Sequence, residues 1–276
     1  MAWENGTVSG HKEILVALHA FASANGWTVR RWDTPVDGEY ELILQSTGTV
    51  GDDSIVLAFR TNSLPESDTF NIRCKASSVF VDVPYDTLVN ASPDSAVYSW
   101  DGDIPYYFIV NLDRIMIATF VSGTTQYYYG GNLRTYTSRG HWPAPVCSFC
   151  VGTNVNARWS SQGNDYSGWQ YIRGTNPCHL QNYNSAWTKP NAVFPNMYTG
   201  IYDTARPYEN GDVPLSPMMY STSADGVVGE VVGAYHVAGF SLANGQILDH
   251  DDGRQFLVVQ NVYRADQYDY LVMELV

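Results

Sequence analysis

The chain has 276 residues, with 28 acidic side chains against 15 basic ones and a formal net charge of −13. Hydrophobic residues make up 45%, which excludes a disordered chain and supplies a core for one large β domain or two smaller ones. The few lysines (Lys12, Lys75, Lys189) and the scattered arginines form no basic stripe, which argues against nucleic acid as a partner, and the acidic balance disfavours anionic membranes.

The opening Met1-Ala2-Trp3-Glu4-Asn5-Gly6 has no basic stretch leading into an apolar one, so no secretory signal is read there. No apolar run approaches the roughly 20 residues that a membrane-spanning helix needs. Four cysteines in a chain of this length make no disulfide framework. The expectation is synthesis in a cytoplasm and folding with reduced thiols.

The first predicted element is a helix over 10–25. Ile14, Leu15, Leu18, Phe21 and Ala22 fall on one face of it. Ser9 or Gly10 caps the start, Glu13 suits the positive helix end, and Asn25-Gly26 supplies a left-handed stop. Strand patterning takes over at 27–32. It recurs at 40–45, 54–61, 70–75 and 79–83, with Gly, Asp, Pro and Ser between the runs. Runs at 106–110 and 114–121 flank Asn111-Leu112-Asp113, a predicted hairpin turn, and 126–129 is another short strand. From 154 to 226 neither period 2 nor period 3.6 is sustained, and isolated aromatics stand among Gly, Asn, Ser and Pro. This stretch reads as a long looped insertion, and such loops are usually functional or ordered against a neighbour. Strand patterns return at 231–240, 246–249, 255–263 and 268–276. The expected fold is mainly β: antiparallel sheets in a single sandwich-like domain, with one N-terminal α-helix and a loop-rich insertion at about 154–226.

Candidate chemistry is sparse. Cys147-Ser148-Phe149-Cys150 is a lone C-x-x-C. Zinc would need a second ligand pair, for which Cys178 and His179 are candidates with His141 as a spare. The competing reading is thiols packed as small hydrophobes in a strand. Asp249-His250-Asp251-Asp252-Gly253 offers oxygen ligands to calcium, but Asp-Gly between two strand patterns is a type I′ hairpin signal. Asp94, Asp101 and Asp103 lie near Trp100 and Tyr106, a mixture that a glycosidase uses, although abundant acid makes such neighbours expected. Gly239-Phe240-Ser241-Leu242-Ala243 only approximates a nucleophile elbow. The sequons at Asn5 and Asn90 lack a signal peptide to give them meaning. No catalytic residue, resident metal or cofactor is expected. Trp159, Tyr166, Trp169, Tyr171 and Trp187 are the candidate interface residues. They could anchor a neighbouring subunit, stack on a sugar, or pin the insertion to its own domain.

Several segments carry a wider likeness. They are the short helix followed by Gly26-Trp27-Thr28-Val29, the run Ile55-Val56-Leu57-Ala58-Phe59-Arg60-Thr61, and the hairpin over 107–119 with the Pro143-Ala144-Pro145 loop. The most specific are Gly229-Glu230-Val231-Val232-Gly233-Ala234-Tyr235-His236-Val237-Ala238-Gly239-Phe240 and Leu257-Val258-Val259-Gln260-Asn261-Val262-Tyr263-Arg264 with Asp269-Tyr270. Over nearly its full length the chain resembles virion structural proteins of tailed bacteriophages. The resemblance implies a non-enzymatic component of the tail, neck or baseplate, made in the host cytoplasm and located in the virion. Its partners would be copies of itself and other virion proteins, repeated symmetrically. The alternative is a receptor- or glycan-binding module at the tail tip that meets a host surface glycan. A polysaccharide or peptidoglycan hydrolase is a third class.

Overall fold

A computed structural model of the chain describes residues 1–34, 37–137, 142, 144–160, 178–194, 213–260 and 270–275. Strand β1 (Ala2–Ser9) leads into helix α1 (His11–Ala24). The five strands β2 (Thr28–Asp33), β3 (Glu41–Ser46), β4 (Ile55–Leu64), β5 (Thr69–Ser77) and β6 (Ser95–Val97) form one antiparallel sheet in chain order. Next come β7 (Asp103–Asn111), β8 (Arg114–Val121), β9 (Thr124–Asn132), β10 (Arg134–Thr135), β11 (Val146–Phe149), β12 (Cys178–Gln181) and β13 (Trp187–Thr188). Except for β10 they join β1 in a seven-stranded sheet of order β1-β7-β8-β9-β11-β12-β13. The remaining strands are β14 (Asn191–Phe194), β15 (Ser216–Thr222), β16 (Gly226–Val237), β17 (Ile247–Asp249), β18 (Gln255–Gln260) and β19 (Tyr270–Glu274). They form a third sheet of order β14-β15-β16-β19-β18-β17, and β10 pairs with β16.

Side-chain alternation explains how these sheets stack. Successive strand residues point to opposite faces, and β8 is apolar on both. Ile115 and Ile117 join Phe108 and Tyr128 in a core shared with Leu44, Leu57 and Phe59 of the five-stranded sheet and with Ile14, Leu15 and Leu18 of α1. Met116 and Ala118 join Tyr127 and Tyr129 in a second core, shared with Tyr220, Val231, Leu257 and Leu271 of the third sheet. The seven-stranded sheet is therefore the middle of three layers. Phe59 meets Tyr128 edge to face at 5.3 Å between centroids, which locks the first interface.

The helix ends as its sequence dictates. Trp27 N donates to Ala22 O at 3.1 Å and Gly26 N to Ser23 O at 3.4 Å, a Schellman stop with Gly26 at φ 92. The indole of buried Trp27 donates to Asn111 O at 2.8 Å, tying the helix exit to the central hairpin. That hairpin turns where predicted: Asn111 Oδ1 accepts from Asp113 N at 2.9 Å and Arg114 N at 3.0 Å.

Three expectations need correction. The 79–83 pattern forms no strand; it crosses the outer face of the five-stranded sheet, and its residue Phe80 packs on that face. The stretch 154–226 contains β12, β13, β14 and β15. β12–β14 are two to four residues long, too short for a period to emerge, and β12 is buried throughout. The turn at 249–253 is a different hairpin from the one expected. Gly253 N donates to His250 O at 2.8 Å and His250 N to Arg254 O at 2.9 Å, with a positive φ at Gly253 alone. This is the three-residue loop with a G1 bulge rather than type I′. Asp252 favours it by accepting from Arg254 N at 3.1 Å and Nε at 2.8 Å.

Candidate functional site

The cysteine motif is taken apart by strand geometry. Three residues of spacing in an extended segment put two side chains on opposite faces. Cys147 lies in the core toward the third sheet and Cys150 in the core toward the five-stranded sheet. Cys178 lies opposite Phe149 in the β11–β12 ladder, and it faces the third sheet with Cys147. Burial pushes the Cys147 and Cys178 thiols well above the usual range. The adjacent His179 is buried and its pKa falls to about 4, chiefly through desolvation and secondarily through Lys189. Among the described residues no group of three or more potential ligands is placed to hold a metal ion. His141 lies outside the described residues.

The acidic candidates have separate duties. Asp94 accepts from Tyr85 Oη at 2.6 Å and pairs with Arg73 at 2.6 Å and Lys75 at 3.7 Å. Asp103 opens β7, and its backbone carbonyl accepts from Trp100 Nε1 at 3.1 Å. Asp101 lines a shallow cavity with His11, Lys12 and Ser63. There His11 Nε2 lies 3.0 Å from Ser63 Oγ and 4.0 Å from Glu39 Oε2, while Nδ1 is buried with no partner among the described residues. A nucleophile relay needs serine and carboxylate on opposite ring nitrogens; here both approach the same one. Burial lowers the His11 pKa to about 4, outweighing the neighbouring Glu39.

Trp159 is half-buried, meets Trp100 edge to face at 6.0 Å, and carries Arg158 over its ring at 5.0 Å. It is held by its own chain. Trp187 is half-buried on β13, the edge strand of the central sheet, and its indole donates to Asn90 O at 2.9 Å. Tyr166, Trp169 and Tyr171 lie outside the described residues.

Asn90 leads to a surface that no motif announced. Val79, Val81 and Val89 are each more than 40% exposed. Ser77 Oγ lies 3.0 Å from Val79 O and 2.9 Å from Val89 O, which brings the two valine segments together. Phe80 and Ala91 point inward onto Ile43, Val56, Ala58, Tyr85 and Leu88, leaving the valines outside. Charges surround them: Arg30 stacks over Phe80 at 5.2 Å, and Arg31 approaches Asp82 at 3.7 Å. An apolar centre with a charged rim is the anatomy of a protein-binding patch.

The patch is held rigidly from below. Arg73 reaches Asp86 at 2.9 Å as well as Asp94, and its guanidinium lies 4.9 Å from the Tyr85 ring centroid. Lys75 approaches the same ring at 4.6 Å, and Arg60 holds Asp86 at 2.5 Å. β2, which bears Arg30 and Arg31, is an edge strand of this sheet, with no strand paired to its outer side among the described residues. The sequence did carry one signal: in Val79-Phe80-Val81 both faces are apolar, whereas a surface segment covering a sheet needs only one.

No protein-family model matches this sequence, and no characterised protein aligns with it significantly.

Proposed function

We propose that the chain is a structural subunit of a bacteriophage virion, in the tail, neck or baseplate, acting by protein–protein assembly rather than by catalysis. The patch of Val79, Val81 and Val89 beside Trp187 is the observation that supports assembly, and the segments that resemble virion proteins supply the setting. The salt-bridged segment beneath the valines is ordered before any partner arrives, so docking costs little conformational entropy. The three stacked sheets supply a stiff body for it to be mounted on.

A double substitution, Val79→Asp with Val89→Asp, places charge at the centre of the patch. The isolated chain should keep its circular dichroism spectrum, because both side chains are already solvent-exposed. Docking would bury two unpaired carboxylates, which is far more costly than losing two valine contacts, so incorporation into particles should fall steeply, measured by antibody labelling of purified virions. Undiminished incorporation would remove the patch from the interface. Absence of the chain from virions would overturn the setting.

A further inference from the structure

Arg114 opens β8, and strand alternation turns it away from Ile115 and Ile117, toward the third sheet. It is only 6% exposed. Two glycines make room for it. A Cβ on Gly131 would lie 2.6 Å from Arg114 Cα, and one on Gly233 would lie 2.5 Å from Nη2. A side chain at Gly131 would collide with the β8 backbone, and one at Gly233 would displace the guanidinium.

No acid among the described residues pairs with the guanidinium. Among the described residues its only hydrogen-bond acceptor is the Met1 thioether, 3.3 Å from Nη2, and its Nε is buried with no partner. Neighbouring carboxylates are occupied. Asp113 accepts from Thr49 N at 2.8 Å and from Thr49 Oγ1 at 2.5 Å. Asp53 accepts from Asn132 Nδ2 at 2.8 Å. Glu230 pairs with Arg134 and accepts from Tyr136 Oη at 3.0 Å. Buried charges in proteins are paired or hydrogen-bonded, because an isolated one loses its hydration for nothing.

Beside the guanidinium lies a cavity of about 380 Å³, lined also by Asn132, Arg134, Thr135, Thr137 and Val232 and by Asp113, whose carboxylate is turned to Thr49. Its size suits a small molecule. A buried guanidinium, a second arginine and hydroxyl and amide groups are complementary to an oxyanion, which a guanidinium fork can grip through two parallel hydrogen bonds. We propose that this cavity binds a small ligand through a carboxylate or phosphate group that pairs with Arg114. The proposal is independent of the role in assembly.

Thermal unfolding of the full chain, at constant ionic strength in chloride, tests it with inorganic phosphate in one arm and acetate in the other. A saturable rise in melting temperature is expected in at least one arm, and the stronger arm identifies the group. Arg114→Met should abolish the rise. Should that variant fail to fold, Arg134→Gln serves instead, since Arg134 is 65% exposed. It should weaken binding roughly tenfold, as expected for loss of a charge-assisted hydrogen bond. No rise beyond chloride in either arm, or a rise that these substitutions leave unchanged, overturns the proposal.

Discussion

Arg73 and Arg114 make an instructive pair. Both are arginines in β-strands with little exposure. On the outer face of the five-stranded sheet, Arg73 is completed by Asp94, Asp86 and the Tyr85 ring. Burial works against its charge, but Asp94, Tyr85 and Asp86 outweigh that and raise its pKa. Between the central and third sheets, Arg114 has room made for it by two glycines and, among the described residues, no carboxylate paired with it. A buried charge completed within the chain fastens structure, here the segment that presents the valine patch. One left incomplete marks a place for something from outside.

Acidification should extend the comparison with the largest effect, because it creates two more buried cations. His11 and His179 have folded pKa values of about 4, below the ordinary 6.5. The unfolded chain therefore takes up protons first as pH falls. Stability is full above pH 6.5 and declines toward pH 4, by roughly 3 kcal/mol per histidine once both states are protonated. Urea midpoints measured across that window should fall, and His11→Gln with His179→Gln should flatten the profile. A flat wild-type profile would show that the interior accommodates these charges.

Breaking the completed arginine comes next. Asp94→Ala strips a partner from Arg73, Lys75 and Tyr85 at once. The pair is partly buried, so the loss should fall between that of a surface pair and that of a buried one, about 2 kcal/mol, readable by urea denaturation. Hydrogen exchange over 78–91 should quicken in the same variant. A loss below about 1 kcal/mol, the worth of a surface pair, would mean that apolar packing alone holds the segment.

The incomplete arginine should respond in the opposite sense. In buffer without oxyanions, Arg114→Met removes an unpaired charge and keeps an apolar stem in its place. Stability should rise by about 1 kcal/mol, at the low end of what replacing buried ions by hydrophobes gives. Destabilisation would mean that the guanidinium is already satisfied.

Much of the fold was legible in the sequence, for local reasons. Asn25-Gly26 stops the helix, Asn111 turns the central hairpin, and continuous apolar and aromatic runs place β8 and β9. β1 escaped notice because Glu4, Asn5 and Gly6 interrupt its pattern, although it pairs with β7 along its whole length. A continuous apolar run reveals that a strand has two buried faces but not which sheet covers each, so the three layers were hidden. The two candidate sites were hidden for the same reason. Val79-Phe80-Val81 is apolar like a buried strand yet has no ladder partner among the described residues, and the isolation of Arg114 depends on carboxylates engaged far away in sequence, at Thr49, Asn132 and Arg134. The C-x-x-C was the reverse case: once β11 is a strand, its spacing alone separates Cys147 from Cys150.

Hydrogen exchange on the isolated chain and on the same chain in assembled particles tests the central claim of assembly most directly. Exchange at 78–91 and at Trp187–Thr188 should slow several-fold or more in particles, while β8 and β9, already covered on both faces, remain equally slow in both. Equal exchange at 78–91 in the two forms would contradict the account, because a docked patch cannot be as open to solvent as a bare one.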